Sequence, residues 1–312
     1  MTDTKSKTPS SLAFRTEMDF VYGAPKEMGR GVVRIVANNP GPFTFKGTNT
    51  YIVGQTSLAV IDPGPDDPEH RAAILAYAAG RPISHILITH THRDHVDGLS
   101  ALLTETRATV CGFGRANLKL DPRLSSPTGR AYIDMDFNPD VSLTHGDTVD
   151  GDGWSLKVHH TPGHAPDHLC FEWTDRRILF SGDHVMGWNT TVVAPPEGHM
   201  GDYLASLEKL AARQVDVFLP GHGGQIGEPI KVTKAYMVHR RLREQAIRDA
   251  IHRGHNTITA IVSLIYQKLD PALITAAKLS VQAHVEHLIE RGLMTADGPV
   301  TFETELSRAR RS

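Results

Sequence analysis

The stretch ILITHTHRDHVDG, residues 86–98, places His90, His92, Asp94 and His95 together at the end of an apolar run. The run ISHILIT, residues 83–89, is short and rich in β-branched side chains, which predicts a buried strand. Alternate side chains of an extended chain point the same way, so His90 and His92 can converge on one cation. Asp94 and His95 follow where the chain turns. HVDGLSALLTET then reads as a helix, and that pair would face a neighbouring point. Imidazole nitrogen and carboxylate oxygen suit zinc, and they suit iron and manganese as well.

Three further motifs follow in order: His164 in TPGH, Asp183 in FSGDH and His222 in LPGHGG. Each comes after an apolar run and sits in a Gly-rich turn. Together with H-x-H-x-D-H they resemble the metallo-β-lactamase superfamily along most of the chain. The resemblance implies that His90, His92 and His164 hold one ion, that Asp94, His95 and His222 hold a second, and that Asp183 bridges both. It also implies a supporting role for Asp62, in VIDPG, behind a ligand histidine, because such partners fix imidazole orientation. Asp183 where the B1 β-lactamases carry Cys favours two tightly held ions. Two close cations make hydroxide available at neutral pH and neutralise the oxyanion formed on attack. A metal-bridging hydroxide is therefore the expected nucleophile, with Asp94 as the catalytic group that orients it and takes its proton. His184, Asn49, Thr50, Tyr51, Asn189, Thr190 and Thr191 are candidates for the substrate wall. His85, His145, His239, His252 and His255 are read as ordinary solvated side chains.

The 312 residues are 40% hydrophobic and 22% charged, with formal net charge -2, which is a globular composition. No apolar run is long enough to cross a membrane. The first residues, MTDTKSKTPSSLAF, have no hydrophobic region of the kind a secretory signal carries. Cys111 and Cys170 lie in apolar runs and read as small buried hydrophobes rather than a disulfide framework. A reducing, cytoplasmic setting is expected.

GVVRIVA, NTYIVG and SLAVID predict an antiparallel opening sheet, and PEHRAAILAYAAG a helix closed at Gly80. WSLKVHHT, HLCFEWT, RILFSG and VDVFLPG predict a second set of strands, with GDYLASLEKLAAR as a helix among them. Such a pattern alone indicates an α/β or α+β fold. The resemblance sharpens it to α+β, a four-layer αββα sandwich.

After about residue 226 the pattern becomes helical. One long basic helix is followed by TITAIVSLIYQKL with Asn256 as N-cap, and then by a helix opening near Pro271. LMTADGPVTFETEL reads as a hairpin around Asp297-Gly298. This resembles the winged-helix module of the β-lactamase-like protein 2 branch. The expected layout is an N-terminal extension over 1–28, a catalytic sandwich over 29–235 and a winged-helix-like domain over 236–312. Its apolar rows, Ile258, Ile261, Leu264 and Ile265, and Val281, Val285, Leu288 and Ile289, read as core.

The expected activity is metal-dependent hydrolysis of a small acyl substrate of thioester or lactone type. That branch includes an endoribonuclease, so RNA is an alternative substrate. Residues 236–312 carry eleven Lys/Arg against eight Asp/Glu, only a mild basic excess for gripping nucleic acid. The RNA alternative depends on Lys268, Lys278, Arg291, Arg308, Arg310 and Arg311. A mononuclear-iron persulfide dioxygenase ranks lower, because His95 and His222 complete a second ligand set. A homodimer is a further expectation.

Overall fold

A computed structural model describes residues 14–114 and 132–309. Arg310 and Arg311 lie outside them. The first sheet has seven strands in sequence order: β1 (Lys26–Gly29), β2 (Val32–Val36), β3 (Asn49–Val53), β4 (Leu58–Ile61), β5 (Ile83–Leu87), β6 (Thr109–Gly112) and β7 (Val141–Ser142). β1 to β4 pair antiparallel, and β4 to β7 pair parallel. The second sheet is built from β8 (Thr148–Gly151), β9 (Trp154–His160), β10 (Leu169–Trp173), β11 (Ile178–Gly182) and β12 (Val217–Pro220), in the order β12-β11-β10-β9-β8.

β2, β3, β4, β10 and β11 are buried at every residue because both faces of the sheets are covered there. Along β4, Ala59 and Ile61 enter the core between the sheets, while Leu58 and Val60 face outward. Along β10 and β11, Leu169, Phe171, Ile178 and Phe180 face inward, and Cys170 and Leu179 outward. Helix α1 (Pro68–Ala78) covers the outer face of the first sheet through Ile74 and Ala78. Asp67 caps its start by accepting from the Glu69 N–H, and its end turns through two left-handed residues, the cap Ala79 and the expected Gly80. HVDGLSALLTET is split at Gly98 into α2 (Arg93–Val96) and α3 (Leu99–Glu105). On the other side, α4 (Met200–Ala211) and the first half of α5 (Pro229–His252) cover the second sheet through Tyr203, Leu207 and Tyr236. The layers run helix, sheet, sheet, helix.

The C-terminal core joins the second half of α5 (Ile247, Ile251) to α6 (Ile258–Ile265) and α7 (Ile274–Glu290), with a small sheet of β13 (Met294–Ala296) and β14 (Leu306–Arg308). The apolar rows expected as core pack there. Several details differ from expectation. The N-cap of α6 is Thr257, whose side chain accepts from the Ala260 N–H, and not Asn256. The strands of the wing meet across a loop spanning 297–305 rather than a tight turn at Asp297-Gly298. The expected domain edge at 235/236 falls inside α5, so one helix serves both cores, and β1 begins inside the expected extension. No helix among the described residues is long and apolar enough to cross a membrane.

Candidate metal centre

The site sits where strands end and loops turn back. His90 to His95 follow β5, His164 lies between β9 and β10, Asp183 follows β11, and His222 follows β12. Crevices outside the carboxyl ends of strands are where side chains from separate segments can meet. The structure brings all seven predicted ligands together. His90, His92 and His164 form one group, His90, His95 and Asp183 a second, and Asp94, His95 and His222 a third, the ligand atoms of each group lying within 4.8 Å of one another. Gly221 lets the chain come this close, because a Cβ there would stand 2.4 Å from Asp183 Oδ1 and 2.7 Å from His95 Cε1.

The rings are locked by what lies behind them. His95 Nδ1 faces Asp62 Oδ2 at 2.9 Å, and His90 Nδ1 faces Thr89 Oγ1 at 2.9 Å. Thr89 Oγ1 donates in turn to Asp62 Oδ2 at 2.7 Å. Asp62 therefore orients two rings of the cluster, one directly and one through a hydroxyl. His164 Nδ1 donates to the Val192 carbonyl at 2.6 Å, and His222 Nδ1 to the Gly47 carbonyl at 3.3 Å. His92 Nε2 faces Glu197 at 3.0 Å.

With those nitrogens protonated, the opposite nitrogens point lone pairs at one another. His90 Nε2 and His164 Nε2 stand 2.9 and 3.1 Å from His92 Nδ1, and His95 Nε2 stands 3.3 Å from His222 Nε2. Two nitrogens each about 2.0–2.1 Å from a tetrahedral cation stand about 3.4 Å apart, close to these spacings. Asp183 Oδ1 is buried with no hydrogen-bond partner, and Asp94 Oδ2 lies 3.2 Å from His222 Nε2. The donor set fits two divalent ions.

The electrostatics divide the rings: burial lowers His90 and His164, while, against the same burial, neighbouring carboxylates raise His92, His95 and His222, whose protons a cation would have to displace. Burial, with His95 and His92 as neighbours, holds the His90 imidazole well below its ordinary range, leaving the neutral ring a ligand must be. Burial opposes charge on Asp183, yet His222 and His95 hold its carboxyl well below the usual carboxylate range. Burial also opposes charge on His92, but the Glu197 carboxylate brings that ring up to about 9.

The expected wall residues do other work. Asn49 donates to the Pro220 and Gly223 carbonyls and Tyr51 to the Pro220 carbonyl, so both are buried braces of the His222 loop. Thr50 donates to the Asp62 carbonyl. The His184 ring is buried against Tyr203, and neither of its nitrogens has a partner. Asn189 is exposed and caps the Thr190 N–H, while the buried Thr191 hydroxyl donates to the Asp183 carbonyl. None of them lines the cavity above the ligands. His85, His239 and His255 are half-buried rather than solvated; burial lowers the first two, His239 to about 4.

That cavity is about 410 Å³. Ligand residues and Glu197 form its floor, and Phe43, Met186, Val192, Ala194 and Leu279 are among its walls. No described residue lining it is Lys or Arg. Lys278 sits over the Phe302 ring and Arg291 pairs with Glu244.

Sequence reasoning missed several contributors. Glu197 orients His92, and Asp167 accepts from the Thr91 N–H and hydroxyl, fixing the residue between two ligands. His168 Nε2 accepts from the Asp183 N–H at 3.1 Å. The one available signal was His168 itself, a second histidine four residues after His164 and directly before an apolar run.

Residues 43–222 match the metallo-beta-lactamase superfamily model, and residues 257–299 match the beta-lactamase associated winged helix domain. The chain belongs to the metallo-β-lactamase superfamily. It is a metal-dependent hydrolase of that superfamily, with a winged-helix domain at its C-terminal end. Among its relatives, the beta-lactamase-like protein 2 homolog of Drosophila melanogaster is 33% identical over 84% of this chain and 88% of the relative. The atrochrysone carboxyl ACP thioesterase of Passalora fulva is 28% identical over 87% of this chain and 78% of its own length. A beta-lactamase domain protein from Burkholderia ambifaria shares the fold, with a TM-score of 0.75 at 21% identity over 93% of this chain and 96% of that one.

Proposed function

We propose that the chain hydrolyses a small acyl substrate of thioester or lactone type, with two zinc ions. The observation that carries this reading is the cavity, which has a floor of metal-capable donors, walls that are mostly apolar apart from Thr44, Tyr132 and Thr275, and no Lys or Arg among its described lining residues. A long phosphodiester chain is gripped along its backbone by Lys and Arg side chains, and the described lining residues include neither. The thioesterase relative supports the same reading. The group of Asp94, His95 and His222 favours two ions over the single iron of a dioxygenase.

His90, His92 and His164 would hold one ion and Asp94, His95 and His222 the other, with Asp183 between them. Bound zinc ions supply water activation and neutralise the oxyanion that develops on the attacked carbonyl. The Asp94 carboxylate, steadied by the Thr48 hydroxyl at 3.0 Å, orients the attacking water and takes its proton. The apolar walls place the acyl group and keep bulk water away from it.

The test is a screen of the zinc-loaded protein against acyl thioesters, lactones, β-lactams, phosphodiesters and single-stranded RNA. The highest kcat/KM is expected on a thioester or lactone. Faster turnover of RNA would overturn the reading. Elemental analysis after zinc reloading should give two ions per chain.

A further inference from the structure

Helix α7 has more apolar surface than its own core uses. Ala277, Val281 and Leu288 enter the C-terminal core, and Ala283 enters the core beneath the second sheet. Ala276 and Leu279, three residues apart and so neighbours on the helix surface, belong to neither. They line the cavity over the ligand cluster. The wall residue Phe43 is 52% exposed, and Leu273 and Ile274, directly before the lining residue Thr275 in the chain, are 37% and 40% exposed.

This wall is held in place. Glu290 of α7 meets His199 at the start of α4 at 3.0 Å, and His287 of α7 meets Glu244 of α5 at 2.8 Å. The C-terminal domain thus supplies a fixed side to a cavity whose floor belongs wholly to the sandwich. Its volume falls in the range of small-ligand sites.

We propose that Ala276 and Leu279 gauge the substrate's acyl chain, which is apolar and lies along the first turns of α7 with its carbonyl over the ligand cluster. This rests on the acyl-hydrolase reading above. The metal-capable floor is where the carbonyl end sits, and the walls, which carry no Lys or Arg among the described residues, favour an uncharged tail. Ala276 is the point where bulk removes room, and Leu279 the point where truncation removes contact.

The experiment reads binding as well as turnover. Acetohydroxamate, butyrohydroxamate, hexanohydroxamate and octanohydroxamate share a zinc-chelating head and differ only in tail. They are titrated calorimetrically into the zinc-loaded full chain. In the wild type, affinity should climb about fourfold per added methylene until the cavity is filled. Ala276→Trp should flatten that climb while leaving acetohydroxamate within about twofold. Leu279→Ala should weaken the longer tails and spare acetohydroxamate. A wild type with no climb, an Ala276→Trp variant with an unchanged climb, or equal loss of short and long tails in both variants would each overturn the assignment. Zinc content measured on every sample keeps loss of metal separate from loss of the wall. If the climb is seen and the variants flatten it, but no acyl thioester or lactone is turned over, the wall stands and the acyl-hydrolase reading falls.

Discussion

Asp62→Asn should cost the chain most of its metal affinity while changing almost nothing in shape. Asp62 is 2% exposed, and its backbone is left-handed, with φ of 54°. Asn tolerates that conformation better than Ala does, so it perturbs the backbone least. Oδ1 accepts from the Thr89 N–H at 2.8 Å, so the carbonyl oxygen of the new amide must take that side. The amide nitrogen then occupies the place of Oδ2, facing the Thr89 hydroxyl and His95 Nδ1. It has two hydrogens to donate there. His95 Nδ1 must become an acceptor, which moves the ring proton onto Nε2. The Thr89 hydroxyl must turn its own hydrogen to His90 Nδ1, which moves a second ring proton onto Nε2. Two ligand nitrogens would thus present N–H where a cation needs lone pairs. Losing one supporting partner costs about 10–100-fold in metal affinity or activity. With two rings affected, about 100-fold is expected, equivalent to about 2.7 kcal/mol. The assay is competition for zinc against a chromophoric chelator, with circular dichroism on the same samples to show an intact fold. Wild-type affinity for both ions in Asp62→Asn would refute the tautomer argument and reduce Asp62 to a turn residue.

Three other outcomes follow from the same geometry. Asp94→Ala should lower turnover by about 100-fold or more, the scale of a lost acid-base group, while zinc content on the same sample falls far less; proportional losses would leave Asp94 only a ligand. Gly163→Ala should destabilise the chain by about 3 kcal/mol, read as a fall in thermal midpoint, because its Cβ would meet the Tyr203 backbone at 2.3 Å and its φ is 133°. His199, hydrogen-bonded first by Asp202 and then by Glu290, is raised to about 9. Its folded pKa lies above the unfolded value, so its contribution is complete below about 6.5 and is lost as pH rises through about 9. The side chain is 41% exposed, so the effect is small, but His199→Gln should remove the stability change between those pH values.

Most strands were legible because each is local in sequence, and the seven clustered donors because the short motifs that carry them resemble those of a known family. A run such as RILFSG carries its β-branched and aromatic content within itself, and H-x-H-x-D-H holds four donors within six residues. The wall was not legible, because it is made by segments far apart. Nothing in MGWNTTVV distinguishes Met186 and Val192, which line the cavity, from Asn189, which does not. Polar loop residues near a ligand motif invite a substrate role. Here Asn49, Tyr51 and Thr191 instead satisfy buried carbonyls, which must be paired wherever loops cross at a buried site.

The C-terminal helices show the same limit from the other side. Spacing identified Val281, Val285 and Leu288 as core, and they are. It could not separate Ala276 and Leu279 from them, because an apolar row reports that a face is covered and not by what. Three surfaces meet α7: its own core, the core under the second sheet, and the cavity. A helix that must satisfy two cores has little freedom to shift, since moving it to suit one would open a gap in the other. Its third face therefore stands over the ligand cluster with the rigidity of the fold itself. Changes at Ala276 or Leu279 should alter which substrates fit before they alter whether the protein folds.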